Sequence, residues 1–243
     1  MTALSLYEFT QACQKPGCPA CRMIYDAVQK HISKLFYEKT NRVEVRQDLR
    51  QSLGFCSEHA WQALDTSAWD ILGIAIIYQD ILGAVLRELP YAPPEPASSP
   101  KETLLSRFHL SSLHLSPSRK AVQALTPKGP CPVCQQGEIA ADRVMATLLE
   151  GLVKEDFVAA LAASQGLCLP HLRQVCEHLP AGRELETLVG IHRAKISALR
   201  AELSEIIRKY DYRFSQEPVG DEREAWRRVV NLAVGRRPIT PDN

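Results

Sequence analysis

The sequence lacks a dominant charge of either sign. Lys and Arg total 29 against 28 Asp and Glu, a formal net charge of +1. Such balance excludes a general attraction to nucleic acid or to an anionic membrane surface. Long apolar runs are also missing. The most apolar stretch, ILGIAIIY at 71–78, is followed at once by Gln79 and Asp80, and eight residues cannot cross a hydrocarbon core that needs about twenty. The first residues, MTALSLYEFTQ, carry neither a basic segment nor an apolar one of the signal-peptide kind. The expectation is a cytoplasmic protein with no membrane association. No run of alternating apolar and polar residues marks a strand, and there is no Gly-rich phosphate loop, G-x-S-x-G or H-E-x-x-H. With 243 residues, 45% of them apolar and 23% charged, the chain can bury a sizeable core as one large domain or two small ones.

What it does have is cysteine, eight in all. In a cytoplasmic chain these read as metal ligands or thiols rather than as a disulfide framework. Six fall in a duplicated pattern. Cys18-Pro19-Ala20-Cys21 returns as Cys131-Pro132-Val133-Cys134 at an offset of 113 residues, and Cys56-Ser57-Glu58-His59 returns as Cys168-Leu169-Pro170-His171 at an offset of 112. The flanks agree too: RQDLRQSLG and VAALAASQG both look like helices ended by glycine, the usual residue where φ turns positive.

The remainder reads as helix. RMIYDAVQKHISKLFYE after the first CPxC carries an apolar stripe through Met23, Ile24, Ala27, Val28, Ile32, Leu35 and Phe36, and the segment after the second carries one through Ile139, Val144, Leu148, Leu149 and Leu152. Each C-x-x-H then opens a further helix, with Pro170 suited to a first turn and Ser57 to a cap. Long helices are expected at 66–88 and at about 182–210. The first is apolar on most faces and is expected in the middle of the molecule. The fold class is therefore all-α, two pseudo-repeated helical units each organised around a Cys3His site. The division is 1–89 for the first unit, 90–116 for a proline-rich linker with the ambiguous FHLSSLHLS, 117–214 for the second unit, and 215–243 for a last helix and a disordered tail.

Three thiols and one imidazole per repeat make a closed tetrahedral ligand set for Zn²⁺. Spacing at i, i+3 at a helix start lets both side chains face one point, and the helix N-terminus favours the thiolate that metals bind. With about 33 residues between the pairs, a helical hairpin would bring each CPxC back onto the C-x-x-H of its own repeat. The metal ligands are thus Cys18, Cys21, Cys56 and His59 in one set, and Cys131, Cys134, Cys168 and His171 in the other. Two zinc ions per chain are expected, with an iron–sulfur cluster the rarer alternative that spacing does not exclude. Six thiolates and two Zn²⁺ would take the formal charge from +1 to −1. Four protein ligands leave no open position for water, so structural rather than catalytic zinc is expected. Glu58 between the first ligands has Leu169 as its counterpart, so no general base is assigned.

Cys13 and Cys176 lack partners in the other repeat and read as buried thiols. His31, His178 and His192 read as solvated or hydrogen-bonded helix residues. His109 and His114 carry no metal role. Arg223, Arg227, Arg228, Arg236 and Arg237 read as a solvated basic face. The duplicated CPxC and C-x-x-H motifs, with the Trp-bearing EAWRRVVNLAVG near the end, resemble DUF6062, a bacterial family of unknown function. That resemblance implies a helical fold and the eight ligand positions, and it implies no activity. The leading expectation is a non-enzymatic, zinc-stabilised module binding a protein partner or a small ligand. One alternative is a thiol redox sensor or oxidoreductase using the CPxC pairs. The other is a small-ligand-binding protein or an enzyme with a pocket between the halves, hinted at by Gln79 and Asp80.

Overall fold

A computed structural model of the chain describes residues 3–39, 42–66, 71–90, 117–214, 216–218 and 220–235. The proline-rich linker from residue 91, FHLSSLHLS with His109 and His114, and the tail with Arg236 and Arg237 lie outside the described residues. Among the described residues there are eleven α-helices and no strand, so the all-α expectation holds.

The helices fall into two series of five. The first is α1 (Ala3–Cys13), α2 (Pro19–Lys34), α3 (Val43–Gln51), α4 (Ser57–Thr66) and α5 (Ile71–Glu88). The second is α6 (Pro117–Ala124), α7 (Pro132–Gly151), α8 (Glu155–Ala163), α9 (Leu169–His178) and α10 (Arg183–Lys209), followed by α11 (Ala225–Val234). A π-helical turn, Leu35–Lys39, extends α2 and carries the buried Leu35 and Phe36. Pro19 and Pro132 open their helices where a missing N–H costs nothing.

Compact units do not follow the repeats. One contains residues 1–31 with 135–243, the other residues 32–134. In the first, α1 of the first repeat packs on α8 of the second; Phe9 stacks on Phe157 with ring centroids 4.5 Å apart, within a core that includes Val144, Leu148, Leu161 and Leu188. In the second, α6 of the second repeat packs on α5, which also lies on α3. The repeats have thus exchanged their N-terminal segments, whereas residues 1–89 and 117–214 were expected to form separate units.

The position expected for α5 also differs. Only Gly73, Ile77 and Ile81 are buried on it, and Ile71, Leu72, Leu82 and Leu86 are exposed, Leu72 by 70%. Its polar interruptions are structural: Gln79 is exposed, and Asp80 accepts from Arg50 Nε at 2.7 Å and Arg46 Nε at 3.3 Å, pinning α5 to α3. Although partial burial works the other way, the two guanidiniums hold the Asp80 carboxyl below its ordinary pKa. No helix among the described residues is long and apolar enough to cross a membrane.

The stacked pair in the first unit makes a simple test. Phe157→Ala removes a ring that is 1% exposed and should cost about 3–5 kcal/mol in urea unfolding. A midpoint within error of the wild type would mean that α1 does not pack on α8.

Candidate metal centres

Each ligand pair is built the same way. The first ligand immediately precedes a helix and the second sits in its first turn. Cys18, Cys56 and Cys168 supply the carbonyl that accepts the opening helical N–H bond, from Arg22 at 3.1 Å, Ala60 at 2.8 Å and Leu172 at 2.8 Å. Cys168 has extended dihedrals, φ −67° and ψ 159°. An extended residue followed by a helical turn aims the side chains of positions i and i+3 at one point, the geometry that lets a capping residue reach the third residue of its helix. In the C-x-x-H at 56–59 the cap position belongs to Cys56, and Ser57 is the first helical residue rather than the cap expected from its type.

Two groups of four converge, and both cross the repeats. Cys18 and Cys21 meet Cys168 and His171; Cys56 and His59 meet Cys131 and Cys134. All eight predicted ligands are brought together, but each CPxC closes on the C-x-x-H of the other repeat. The expectation of a site inside each repeat is corrected. Spacing could not decide this, because the chain between paired motifs is long enough for either closure.

The separations suit a single ion. In the first centre, Cys21 Sγ lies 3.7 Å from Cys168 Sγ, and His171 Nδ1 lies 3.6, 3.4 and 3.1 Å from the sulfurs of Cys18, Cys21 and Cys168. In the second, Cys56 Sγ lies 3.6 Å from Cys134 Sγ, and His59 Nδ1 lies 3.2, 3.8 and 3.4 Å from the sulfurs of Cys56, Cys131 and Cys134. Tetrahedral angles with Zn–S of about 2.3 Å and Zn–N of about 2.0 Å give S–S edges of roughly 3.8 Å and S–N edges of roughly 3.5 Å, and the S–N separations here scatter about that edge, from 3.1 to 3.8 Å. Sulfurs 3.6–3.7 Å apart are well beyond a disulfide bond of about 2.05 Å.

Crowding three thiols together makes their ionisation costly unless a cation is present. In the metal-free chain the Cys18 thiol is pushed far up by its neighbours Cys168 and Cys21, with burial adding to the effect. Cys134 is pushed up to about 12, by burial first and then by Cys56. His171 rises to about 10: burial alone would lower it, but its contacts with Cys168 and Cys21 outweigh that.

Loops that present the ligands are tied to each other. In the first centre Gly17 N donates to Gln165 Oε1 at 2.9 Å, joining the residue before Cys18 to the loop before Cys168. Ser164 Oγ accepts from Gly166 N at 2.9 Å and donates to Leu161 O at 2.8 Å. Leu167 N donates to His192 Nε2, and His192 Nδ1 donates to Leu188 O, each at 2.8 Å. Both imidazole nitrogens are thereby used by the neutral ring, and burial keeps the pKa of His192 low. In the second centre Lys128 N donates to Gln51 O at 2.7 Å, and Ser52 Oγ donates to Gly54 O at 2.7 Å.

Three contributors had gone unassigned. His192 reads as one more helical histidine, and nothing in its spacing marks it as the residue that orients Leu167 beside Cys168. Gln165 is likewise unmarked. Gly235, at the end of α11, has φ +80°, and a Cβ there would lie 3.1 Å from Cys21 Sγ and 3.4 Å from Cys168 Sγ. The chain end of α11 therefore lies directly on the first centre, which only a glycine permits. Trp226 and Val230 of α11 are exposed, and Ala225 is the helix's buried residue. Cys13 is buried with its pKa raised to about 11, chiefly by desolvation, and Cys176 is half-buried; neither belongs to a ligand group among the described residues. Arg227 and Arg228 pair with Glu224 and Glu202.

The fold and the two centres define an all-α protein with a pair of Cys3His sites assembled from exchanged repeat halves. The model of DUF6062, a family of unknown function, matches residues 5–239, and the chain belongs to that family. No curated protein and no solved structure matches it.

The exchange predicts metal stoichiometry. Cys18→Ser with Cys168→Ser should leave one bound ion per chain, because both changes strike the same centre. Cys18→Ser with Cys56→Ser should leave none. The opposite result would mean that each repeat closes on itself. The raised thiol pKa values set the pH dependence: protons must leave for the metal to bind, so affinity should fall as pH falls, by up to about tenfold per thiol per pH unit. Chelator competition across the neutral range measures this, and a flat profile would show that the thiols are not the ligands.

Proposed function

We propose that the chain is a non-enzymatic, cytoplasmic, zinc-stabilised helical module with two closed structural centres, acting by binding a partner or ligand. The observation that carries this reading is the pair of four-atom ligand sets, each with all its atoms within 4.8 Å of one another. One tetrahedral ion fits that span. A cluster of several irons and sulfides holds its ligands further apart, because the inorganic core occupies the space between them. Zinc is the mononuclear ion best suited to three thiolates and one imidazole. With four protein ligands there is no vacant position for a substrate or an activated water.

The thiol chemistry weighs against the redox alternative. Exchange-active cysteines need depressed pKa values and access to solvent. Cys18 and Cys134, one from each CPxC, are both raised, and Cys18 is buried.

Metal analysis of the purified chain should give two zinc ions, with X-ray absorption reporting three sulfurs and one nitrogen per ion. A structural zinc contributes on the order of 10 kcal/mol to the folding of a small domain. Even half of that loss, at either centre, would lower Tm by roughly 10–20 °C. Cys56→Ser and chelation should both show it, and the thiols should react with a titrant only after chelation. A metal-free chain with an unchanged Tm, or one that cycles reversibly between dithiol and disulfide at Cys18–Cys21, would overturn the reading.

A further inference from the structure

Beside the first centre, between α1, α2 and α7, lies a cleft of about 420 Å³. It is large enough for a small metabolite, at the lower end of the range usual for ligand pockets. Four cationic side chains line it: Lys15, Arg22, Lys30 and Arg143. Lys15, Lys30 and Arg143 join no ion pair among the described residues. The Arg22 guanidinium is held at one corner only, where Nη2 donates to Pro16 O at 2.9 Å, and its buried Nε has no acceptor. A buried donor left without a partner is costly, and few are tolerated without a reason. Glu8 and Asp26 also line the cleft, leaving an excess of two positive charges. Part of the wall is apolar, supplied by Met23 and the buried Val144.

Other clefts hold fewer unpaired cations. In the cleft along α3 and α5, Lys128 is paired with Glu88 and Arg50 with Asp80, leaving Arg87 alone without an ion pair among the described residues. In the one beside α10, Arg228 is paired with Glu202, and Lys195 donates to backbone carbonyls. Three cations without an ion pair, gathered around one apolar wall, are thus found in the α1–α2–α7 cleft and in neither of the other two.

The geometry points to this cleft as a binding site for a small organic anion, with a phosphate or carboxylate head among Lys15, Arg22, Lys30 and Arg143 and an apolar body against Met23 and Val144. The head supplies the counter-charge that the protein does not, and the body covers the apolar wall. Arg22 directly follows Cys21, and Lys15 lies three residues before Cys18, so the same turn that places two thiols also places two of the cations. The site requires the folded chain and does not depend on which metal the centre holds.

The test is calorimetric titration of the full-length chain, as purified with its metal, using three probes: octyl phosphate, inorganic phosphate and octyltrimethylammonium. Octyl phosphate should bind saturably at one site, more tightly than inorganic phosphate, and the cation with the same tail should not bind. Arg143→Gln and Lys30→Gln, both at exposed positions, should each weaken octyl phosphate about five- to tenfold. Arg173→Gln, on α9 and outside the cleft, should leave binding unchanged. Circular dichroism and metal content should match the wild type in all three variants. If either cleft variant misfolds, Lys15→Gln takes its place. Overturning results are the absence of saturable octyl phosphate binding, equal affinity for the cationic amphiphile or for inorganic phosphate, or binding that persists undiminished in both cleft variants.

Discussion

Bringing three thiolates and an imidazole within about 2.3 Å of a common point is the demand around which the rest of this chain is arranged. Three like charges at such distances repel one another, and that repulsion adds to the causes that already raise the thiols, hydrogen bonds with Cys168 and Cys21 at Cys18 and burial at Cys134. Two features offset the repulsion. One is a metal ion, which both ligand sets could hold. The other is the direction of the helices: α2 and α9 meet at one centre, α4 and α7 at the other, all by their N-termini. A helix start carries a partial positive charge, so each centre of net charge −1 would lie between two favourable dipole ends. Two helices that meet start to start cannot be joined by a short loop, because the chain must return the length of a helix between them. Separation of the paired motifs in sequence follows from that geometry.

The two centres solve the same problem with different surroundings. Loops are tied across in both, by Gly17 to Gln165 in one and by Lys128 to Gln51 in the other. Behind the glycine before the ligand cysteine stand Tyr78 and Ile81 of α5 in the second centre, and His192 and Lys195 of α10 in the first. The first centre is also the drier, with Cys18 and Cys168 both buried and Gly235 lying on two of its sulfurs. In the second, only Cys131 is buried. Ion exchange and thiol oxidation depend on access, so the second centre is the more exposed to both.

Much of this could be read from residues alone, because the local rules are strong. Proline after cysteine, glycine before it and i, i+3 spacing each specify a helix start, and duplication separates the eight ligands from Cys13 and Cys176. Pairing was different. A stretch of about 33 residues can return to its own start or pass its end to another segment, and the hydrophobic pattern is satisfied either way. Only the packing of α1 on α8 and of α6 on α5 settles the exchange, and such contacts between distant segments leave no periodic trace. His192 was unreadable for a related reason: its role depends on lying beside Leu167, which is close in space and 25 residues away along the chain. On α5, apolar character on most faces suggested a place in the middle of the molecule, yet only the face of Gly73, Ile77 and Ile81 is buried.

Exchange of halves also dictates an order of events on the ribosome. A site contained within the first repeat could take up its ion as soon as His59 had emerged. Here the second centre must wait for Cys134, and the first for His171, which lies 153 residues beyond Cys18. During synthesis of those residues the thiols of Cys18, Cys21 and Cys56 have no complete ligand set to join. The nascent chain therefore passes through a long interval in which half of each centre stands open to oxidation or to the wrong metal, and it ends only when the second repeat arrives.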